Sequence, residues 1–215
     1  MTIQWTIEEG IGRITLCQPP SNTMTMGFFE EMQLLVQTIS KTDGLKAIII
    51  SGSGRHYSSG ANISELLVNL DDQKMLDNYR AFVMLEQLKT PVISAIRGVC
   101  LGSAFELALF SHFRFCADDA VLGLPESTFN LMPGLGGIQR VAALAGKAKA
   151  VEIILRGITF SAADALEMGL VDAVVPKGEV LPLSLSFAKS LPAGVHLSDR
   201  AACLFKYLKP SHATG

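Results

Sequence analysis

The sequence is short of cysteine, of charge and of long apolar runs, and each shortage argues against a class of protein. Its four cysteines are scattered without a CxxC spacing, so neither a disulfide framework nor a thiolate zinc site is expected. Eighteen basic residues against 20 acidic ones, with no basic tract, favour no nucleic-acid partner. The longest apolar stretch, residues 98–110, is interrupted by Glu106 and too short to span a bilayer, so no membrane partner is expected. The first ten residues lack the apolar centre of a signal peptide, which predicts a cytoplasmic protein.

Hydrophobic residues, in contrast, are plentiful. They make up 49% of the 215 residues, which is enough for one sizeable core and predicts a single domain over residues 1–215. The mean hydropathy of +0.35 is high for a monomer of this size. It therefore predicts an apolar subunit interface and a homo-oligomer.

Strands and helices alternate along the chain, which predicts an α/β fold. A hairpin of two alternating strands, IQWTIEE and GRITLCQ, begins the chain, and Thr25 can cap a helix that ends near Ser40. The runs KAIIISG and PVISAIRG have the apolar character of strands buried in a sheet. Between them, helices are predicted near Ser64–Leu70 and from about Asp77 to Gln87.

Two glutamates stand alone in long uncharged runs. Glu106 is the only ionisable carboxylate of residues 98–111, and Glu126 is the only charged residue of 120–139. Apolar surroundings raise the pKa of a carboxyl group, and this allows it to exchange protons near neutral pH. Either glutamate alone could simply reach solvent or bind backbone amides. Two of them twenty residues apart, each beside a glycine-rich stretch, favour a catalytic acid/base pair.

Two apolar strands run into Gly/Ser loops that lead to helix starts. The small residues Gly60-Ala61 and Gly102-Ser103-Ala104 lie at these junctions, where a ligand could come close to the backbone. The first turn of a helix has unpaired backbone N–H groups and the positive end of the helix dipole. Each junction could therefore donate hydrogen bonds to an oxyanion, although most Gly/Ser loops are only turns.

Four ordered motifs, HYSSGANISEL, GVCLGSAFELAL, LGLPE and MPGLGGIQR, resemble the enoyl-CoA hydratase/isomerase (crotonase) superfamily. The resemblance runs from the first hairpin to about Pro176. It implies a crotonase-like spiral of ββα units, with a core at 1–176 and a helical carboxy-terminal segment at 177–215 that is shorter than in the family. It also implies a homotrimer or homohexamer.

The resemblance assigns the substrate-binding groups to the first two motifs. In the family, two backbone N–H groups hold the thioester oxygen of an acyl-CoA, and the matching residues here are Ala61 and Ser103. Asn62 and Ile63 follow in the same loop as further binding residues. Asn62 replaces the usual aspartate, and it can make similar local backbone hydrogen bonds.

The resemblance assigns proton transfer to the two isolated glutamates. Family hydratases use a glutamate at each of the positions that match Glu106 and Glu126, and the amide of a glycine that matches Gly134 helps to hold the water. Ser103 stands where the family has glycine, which leaves the N–H available but narrows the pocket. Asn130 also replaces a glycine, and asparagine tolerates positive φ better than other residues with a side chain.

The function that these features predict is reversible hydration of a 2-enoyl-CoA to a 3-hydroxyacyl-CoA. An enoyl-CoA double-bond isomerase, or other enolate chemistry on an acyl thioester, is the alternative; it would depend on Glu126 and tolerate loss of Glu106. A non-catalytic acyl-CoA-binding or assembly subunit is the alternative of another class. No metal or redox cofactor is expected, because CoA, or an acyl-carrier protein, arrives as part of the substrate. A serine hydrolase acting through Ser103 is disfavoured, since GSAFE lacks the GxSxG elbow.

Overall fold

The computed structural model describes residues 1–69 and 71–192. A six-stranded sheet forms the centre of this part of the chain, and a three-stranded sheet lies beside it. The strands are β1 (Ile3–Glu8), β2 (Ile11–Leu16), β3 (Ala47–Gly52), β4 (Val92–Ile96), β5 (Val99–Leu101), β6 (Phe113–Ala117), β7 (Val121–Gly123), β8 (Thr159–Ser161) and β9 (Ala173–Val175).

The helices connect these strands. They are α1 (Met26–Ile39), α2 (Ile63–Asn69), α3 (Asp72–Glu86), α4 (Ser103–Leu109), α5 (Gly137–Ala145), α6 (Lys147–Arg156), α7 (Ala162–Glu167) and α8 (Val180–Ser190), with a 3-10 helix at Pro125–Phe129. None of the helices in the described ranges is long and apolar enough to cross a membrane.

The larger sheet has the order β1-β2-β3-β4-β6-β9, in which only the β1–β2 pair is antiparallel. Successive side chains of a strand point to opposite faces, and β3 shows the consequence. Ile48 and Ile50 join the main core on one face, whereas Ala47 and Ile49 pack on the other face in a smaller core that includes Val180 of α8. The sheet is therefore buried on both sides, as expected of parallel strands.

The smaller sheet places two helix starts side by side. β5 pairs in parallel with β7, with Leu101 opposite Gly123, and the Gly102 amide donates a 2.9 Å hydrogen bond to the Gly123 carbonyl. α4 begins directly after β5, and the 3-10 helix begins two residues after β7. This pairing brings the two isolated glutamates, twenty residues apart in sequence, to one edge of the fold.

The α/β prediction is confirmed, and so are the hairpin and the helix capped by Thr25, whose side chain accepts from the Phe28 amide. The helix predicted from about Asp77 was placed too late, because α3 begins at Asp72. Its first turn is polar and escapes an apolar periodicity, but the Asp71 side chain caps it by accepting from the Lys74 amide. Of the carboxy-terminal segment predicted at 177–215, the part beyond residue 192 lies outside the described residues.

Candidate active site

A cavity of about 580 Å³ opens where the two helix starts meet. Its walls come from the loop before α2, the starts of α4 and the 3-10 helix, the loop before α5, and residues of α1, α2 and α3. The predicted site residues in its lining are Ala61, Ile63, Ser103, Glu106, Glu126 and Gly134. Asn62 stands outside the lining: its side chain accepts from the Glu65 amide and donates to the Glu65 carboxylate, which fixes the start of α2.

Two backbone amides at the cavity wall are left available. Met24 forms a parallel bridge with Ala61 that uses the Met24 and Asn62 amides, so the Ala61 N–H points to the other side. Ser103 is the first residue of α4, where helical amides have no partner within the helix. Within the described ranges, no hydrogen bond engages either the Ala61 or the Ser103 amide. Both residues line the cavity, so each can donate to a ligand oxygen.

Gly60 holds these two amides near each other. Its φ is +90°, and an added Cβ would lie 2.5 Å from the Leu101 carbonyl oxygen and 3.5 Å from the Ser103 nitrogen. The loop that carries Ala61 therefore touches the start of α4 backbone to backbone. Only glycine permits this approach, because any side chain would force the two segments apart.

Glu106 is a carboxylate almost completely withdrawn from solvent. Its side chain lies on α4 at 1% exposure, and Oε1 accepts 2.9 Å hydrogen bonds from the Leu135 and Gly137 amides. Burial raises the pKa of Glu106 to about 7; the Gly137 and Leu135 amides and Arg140 lower it, and the charge of Glu126 raises it. The group can therefore gain or lose a proton near neutral pH.

The second cavity glutamate, Glu126, lies on the 3-10 helix and can also exchange a proton near neutral pH. It is the second residue of the 3-10 helix, and its Oε2 is buried without a hydrogen-bond partner among the described residues. Burial raises the pKa of Glu126 to about 7, while a hydrogen bond with its own backbone lowers it. An added Cβ on Gly102 would lie 3.2 Å from Glu126 Oε1, so this carboxylate lies over the start of α4.

Comparison with known proteins shows which family the chain belongs to. A profile of the family described as "Enoyl-CoA hydratase/isomerase" matches residues 6–203. The chain belongs to the enoyl-CoA hydratase/isomerase family. The "Probable enoyl-CoA hydratase" of Bacillus subtilis is 34% identical over 199 residues, which cover 88% of this chain and 77% of that protein. The "Fatty acid oxidation complex subunit alpha" of Shewanella amazonensis is 37% identical over 190 residues, 84% of this chain but only 27% of that much longer protein.

The crotonase-like fold of this family member is confirmed by solved structures. A structure described as a putative enoyl-CoA hydratase from Thermobifida fusca in complex with CoA superposes with a TM-score of 0.86 at 25% identity, over 98% of this chain and 87% of that one. The α/β architecture described above is thus the family's fold, as the four sequence motifs predicted.

In this family member, Gly134 lies where the loop before α5 meets α3. It lines the cavity, and an added Cβ would lie 2.8 Å from Met75 Sδ. Any side chain at position 134 would therefore displace Met75 or narrow the cavity. Asn130, which stands where the family has glycine, has a φ of +56°. Asparagine tolerates this left-handed conformation better than other residues with a side chain.

Sequence reasoning missed the groups that hold Glu106. The Leu135 and Gly137 amides bind its carboxylate, and Arg140 of α5 lies close enough to affect its pKa. One signal was available, since Gly136-Gly137 marks the start of α5, where the first amides have no partner within the helix. No group of three or more potential metal ligands was found in the described ranges.

Because the pKa of Glu106 is raised, the ionised carboxylate should lower the free energy of unfolding at high pH. Between pH 4.5 and about 7, folded Glu106 binds more protons than the unfolded chain does, so the free energy of unfolding falls as pH rises through this window. Glu106→Gln removes the buried charge and keeps an oxygen that can accept from both amides. We expect the free energy of unfolding of the variant to exceed that of the wild type by about 1–3 kcal/mol at pH 8, and by little at pH 4.5.

Urea denaturation at both pH values measures this difference. Glu30→Gln is the matched control, because Glu30 is an exposed glutamate of α1, and it should change stability little at either pH. A Glu106→Gln variant less stable than the wild type at pH 8 would show that the carboxylate is better accommodated than its burial implies.

Proposed function

We propose that the protein is an enoyl-CoA hydratase, which adds water reversibly and in syn fashion across the double bond of a 2-enoyl-CoA to give a 3-hydroxyacyl-CoA. One observation carries this proposal. Two carboxyl groups, each with its pKa raised to about 7, line the same cavity as two unengaged backbone amides. A hydratase uses this combination, because it must both polarise a thioester and move two protons.

The proposed mechanism begins at the thioester oxygen. The Ala61 and Ser103 amides donate hydrogen bonds to this oxygen and stabilise the enolate that forms when water attacks the β-carbon. One of the pair Glu106 and Glu126 takes a proton from the water, and the other supplies the proton to the α-carbon. Reversal of these steps gives dehydration. The Gly134 amide, at the cavity wall, would help to hold the water.

This chemistry requires no metal or redox cofactor, because the thioester carbonyl itself accepts the developing charge. We propose CoA as the carrier, and the CoA complex of the Thermobifida fusca relative supports this choice. An acyl-carrier protein would present the same thioester group and is the second candidate carrier. Turnover of the same acyl chain on both carriers separates the two.

Double-bond isomerisation is the alternative that a specific observation favours. Glu126 Oε2 has no partner in the described part of the chain, whereas Glu106 Oε1 is held by two amides. A single base without a hydrogen-bond partner could move one proton between the α- and γ-carbons of a 3-enoyl-CoA. This reaction would need Glu126 and would tolerate loss of Glu106.

We also propose that the protein assembles as a homotrimer or homohexamer and works in the cytoplasm. Several large apolar side chains of α5, α6 and α7 stay exposed on the single chain; they are Leu144, Val151, Leu155 and Leu166. Such residues are candidates for burial against another copy. Light scattering tests the assembly, since a trimer has three times the 23.0 kDa mass of one chain.

The deciding experiment mixes the purified protein with crotonyl-CoA and follows the absorbance of the conjugated enoyl thioester. A hydratase removes this absorbance and forms 3-hydroxybutyryl-CoA, which is identified by mass spectrometry. The same protein is then given a 3-enoyl-CoA, from which an isomerase would create the conjugated absorbance. Binding of acyl-CoA without either reaction would instead support a non-catalytic subunit.

A further inference from the structure

Arg140 makes an unusual set of contacts behind the cavity. Its Nη2 and Nε donate to the two carboxylate oxygens of Glu86, at 2.5 and 3.2 Å. The guanidinium carbon lies 3.3 Å from the centre of the Phe110 ring, and Nη1 donates to the Gly136 carbonyl at 3.4 Å. A two-pronged ion pair combined with stacking on an aromatic ring fixes a guanidinium more firmly than a single surface ion pair would.

Two of these contacts join Arg140 to the surroundings of Glu106. Phe110 caps the carboxy-terminal end of α4, the helix that carries Glu106. Gly136 directly precedes Gly137, whose amide binds Glu106 Oε1. Arg140 thus touches both the helix that bears the carboxylate and the turn that binds it.

The turn itself has little freedom to move toward Arg140. Gly136 has a φ of +96°, and an added Cβ would lie 2.9 Å from Arg140 Nη1 and 3.0 Å from both the Phe110 and the Tyr79 rings. The guanidinium and the two rings therefore form the surface against which the turn rests. Loss of the guanidinium would leave that surface incomplete on one side.

We propose that Arg140 is a positioning residue for Glu106: paired with Glu86 and stacked on Phe110, it fixes the 135–137 turn whose amides orient the carboxylate. The importance of this role for turnover rests on the proposed hydratase function. The role itself concerns the resting protein and can be measured there.

The charge of Arg140 gives the proposal a signature that a merely structural residue would lack. Its positive charge lowers the pKa of Glu106, against the effects of burial and of Glu126. Removing that charge should raise the pKa of Glu106. Removing the Glu86 carboxylate instead leaves the positive charge of Arg140 without its partner, which should not raise the pKa of Glu106. The titratable groups that face this assembly are Glu86, Tyr79, His112 and Glu126.

The experiment compares Arg140→Met, Arg140→Lys and Glu86→Gln with the wild type. The pH dependence of kcat/KM reports the ionisation of the free enzyme. We expect Arg140→Met to move the limb set by Glu106 to higher pH, which is the acidic limb if Glu106 is the base and the basic limb if it is the acid. The same variant should lower kcat roughly 10- to 100-fold, as misplacement of a catalytic group does. Arg140→Lys should return the limb toward its wild-type position with only part of the kcat, and Glu86→Gln should not move the limb upward.

The protonated carboxyl band of Glu106 in the infrared gives a second readout that needs no turnover. It is followed against pH in an E126Q background, where Glu126 no longer titrates, and assigned by its loss in E106Q. If the wild type hydrates no enoyl-CoA, the proposed function fails, but an upward shift in the titration of this band in Arg140→Met still supports the positioning role. A Glu106 band whose titration is unchanged in Arg140→Met would overturn it.

Discussion

Glutamine in place of either cavity glutamate is expected to reduce the hydration of crotonyl-CoA by roughly 10²- to 10⁴-fold. The side-chain amide introduced by Glu106→Gln or Glu126→Gln would fill the same space and could still accept hydrogen bonds, but it can neither take nor give a proton near neutral pH. Because hydration needs one proton taken from water and one delivered to carbon, each variant lacks a necessary step. The loss should therefore fall on kcat, with acyl-CoA binding retained.

Glu167→Gln is the matched control for this pair of variants, since Glu167 is an exposed glutamate at the end of α7. Its activity should equal that of the wild type. Two other outcomes would be informative. Loss of isomerisation in Glu126→Gln alone, with Glu106→Gln active, would establish the single-base isomerase instead. Near-normal hydration in both variants would contradict any acid/base role for the two carboxylates.

The two cavity glutamates could be singled out from the sequence because isolation in an uncharged run is a local property. Glu106 and Glu126 each lie within a stretch whose composition forces either burial or a special role, and their apolar neighbours are visible in the printed chain. Their meeting in space depends on β5 and β7. Both strands have only three residues, which is too few to indicate which strand each one pairs with.

The groups that hold Glu106 in place could not be identified from the composition of a local stretch of sequence. The pair Gly136-Gly137 indicates a helix start but not which side chain its amides bind. The amides of Leu135 and Gly137 reach Glu106 only because α4 and α5 pack together in the folded chain. The ion pair between Arg140 and Glu86 joins residues 54 positions apart. Such a pair is one of many that an amphipathic sequence could form, so its place behind the carboxylate is a property of the fold.

Gly60→Ala is expected to reduce kcat/KM roughly 10²- to 10³-fold, about the effect of removing one oxyanion donor. The methyl group would lie 2.5 Å from the Leu101 carbonyl oxygen, an atom of the backbone that no rotamer change can move. The loop and the start of α4 must then separate, and the Ala61 and Ser103 amides can no longer act on one oxygen. In the proposed mechanism these amides act most strongly on the developing enolate, so kcat should fall more than acyl-CoA affinity.

Gly54→Ala is the matched control, because it introduces a side chain at a positive φ without the steric contact that occurs at position 60. Gly54 lies in the same loop with a φ of +67°, but an added Cβ would meet nothing within 4 Å. We expect it to lose about 1–2 kcal/mol of stability in urea denaturation, the usual cost of a left-handed backbone for a residue with a side chain, and to keep its activity. Gly60→Ala should lose at least as much stability and, in addition, its activity. If the folded Gly60→Ala protein were as active as Gly54→Ala, the contact at Gly60 could not be what brings the two amides together, and the oxyanion site would have to be formed by other donors.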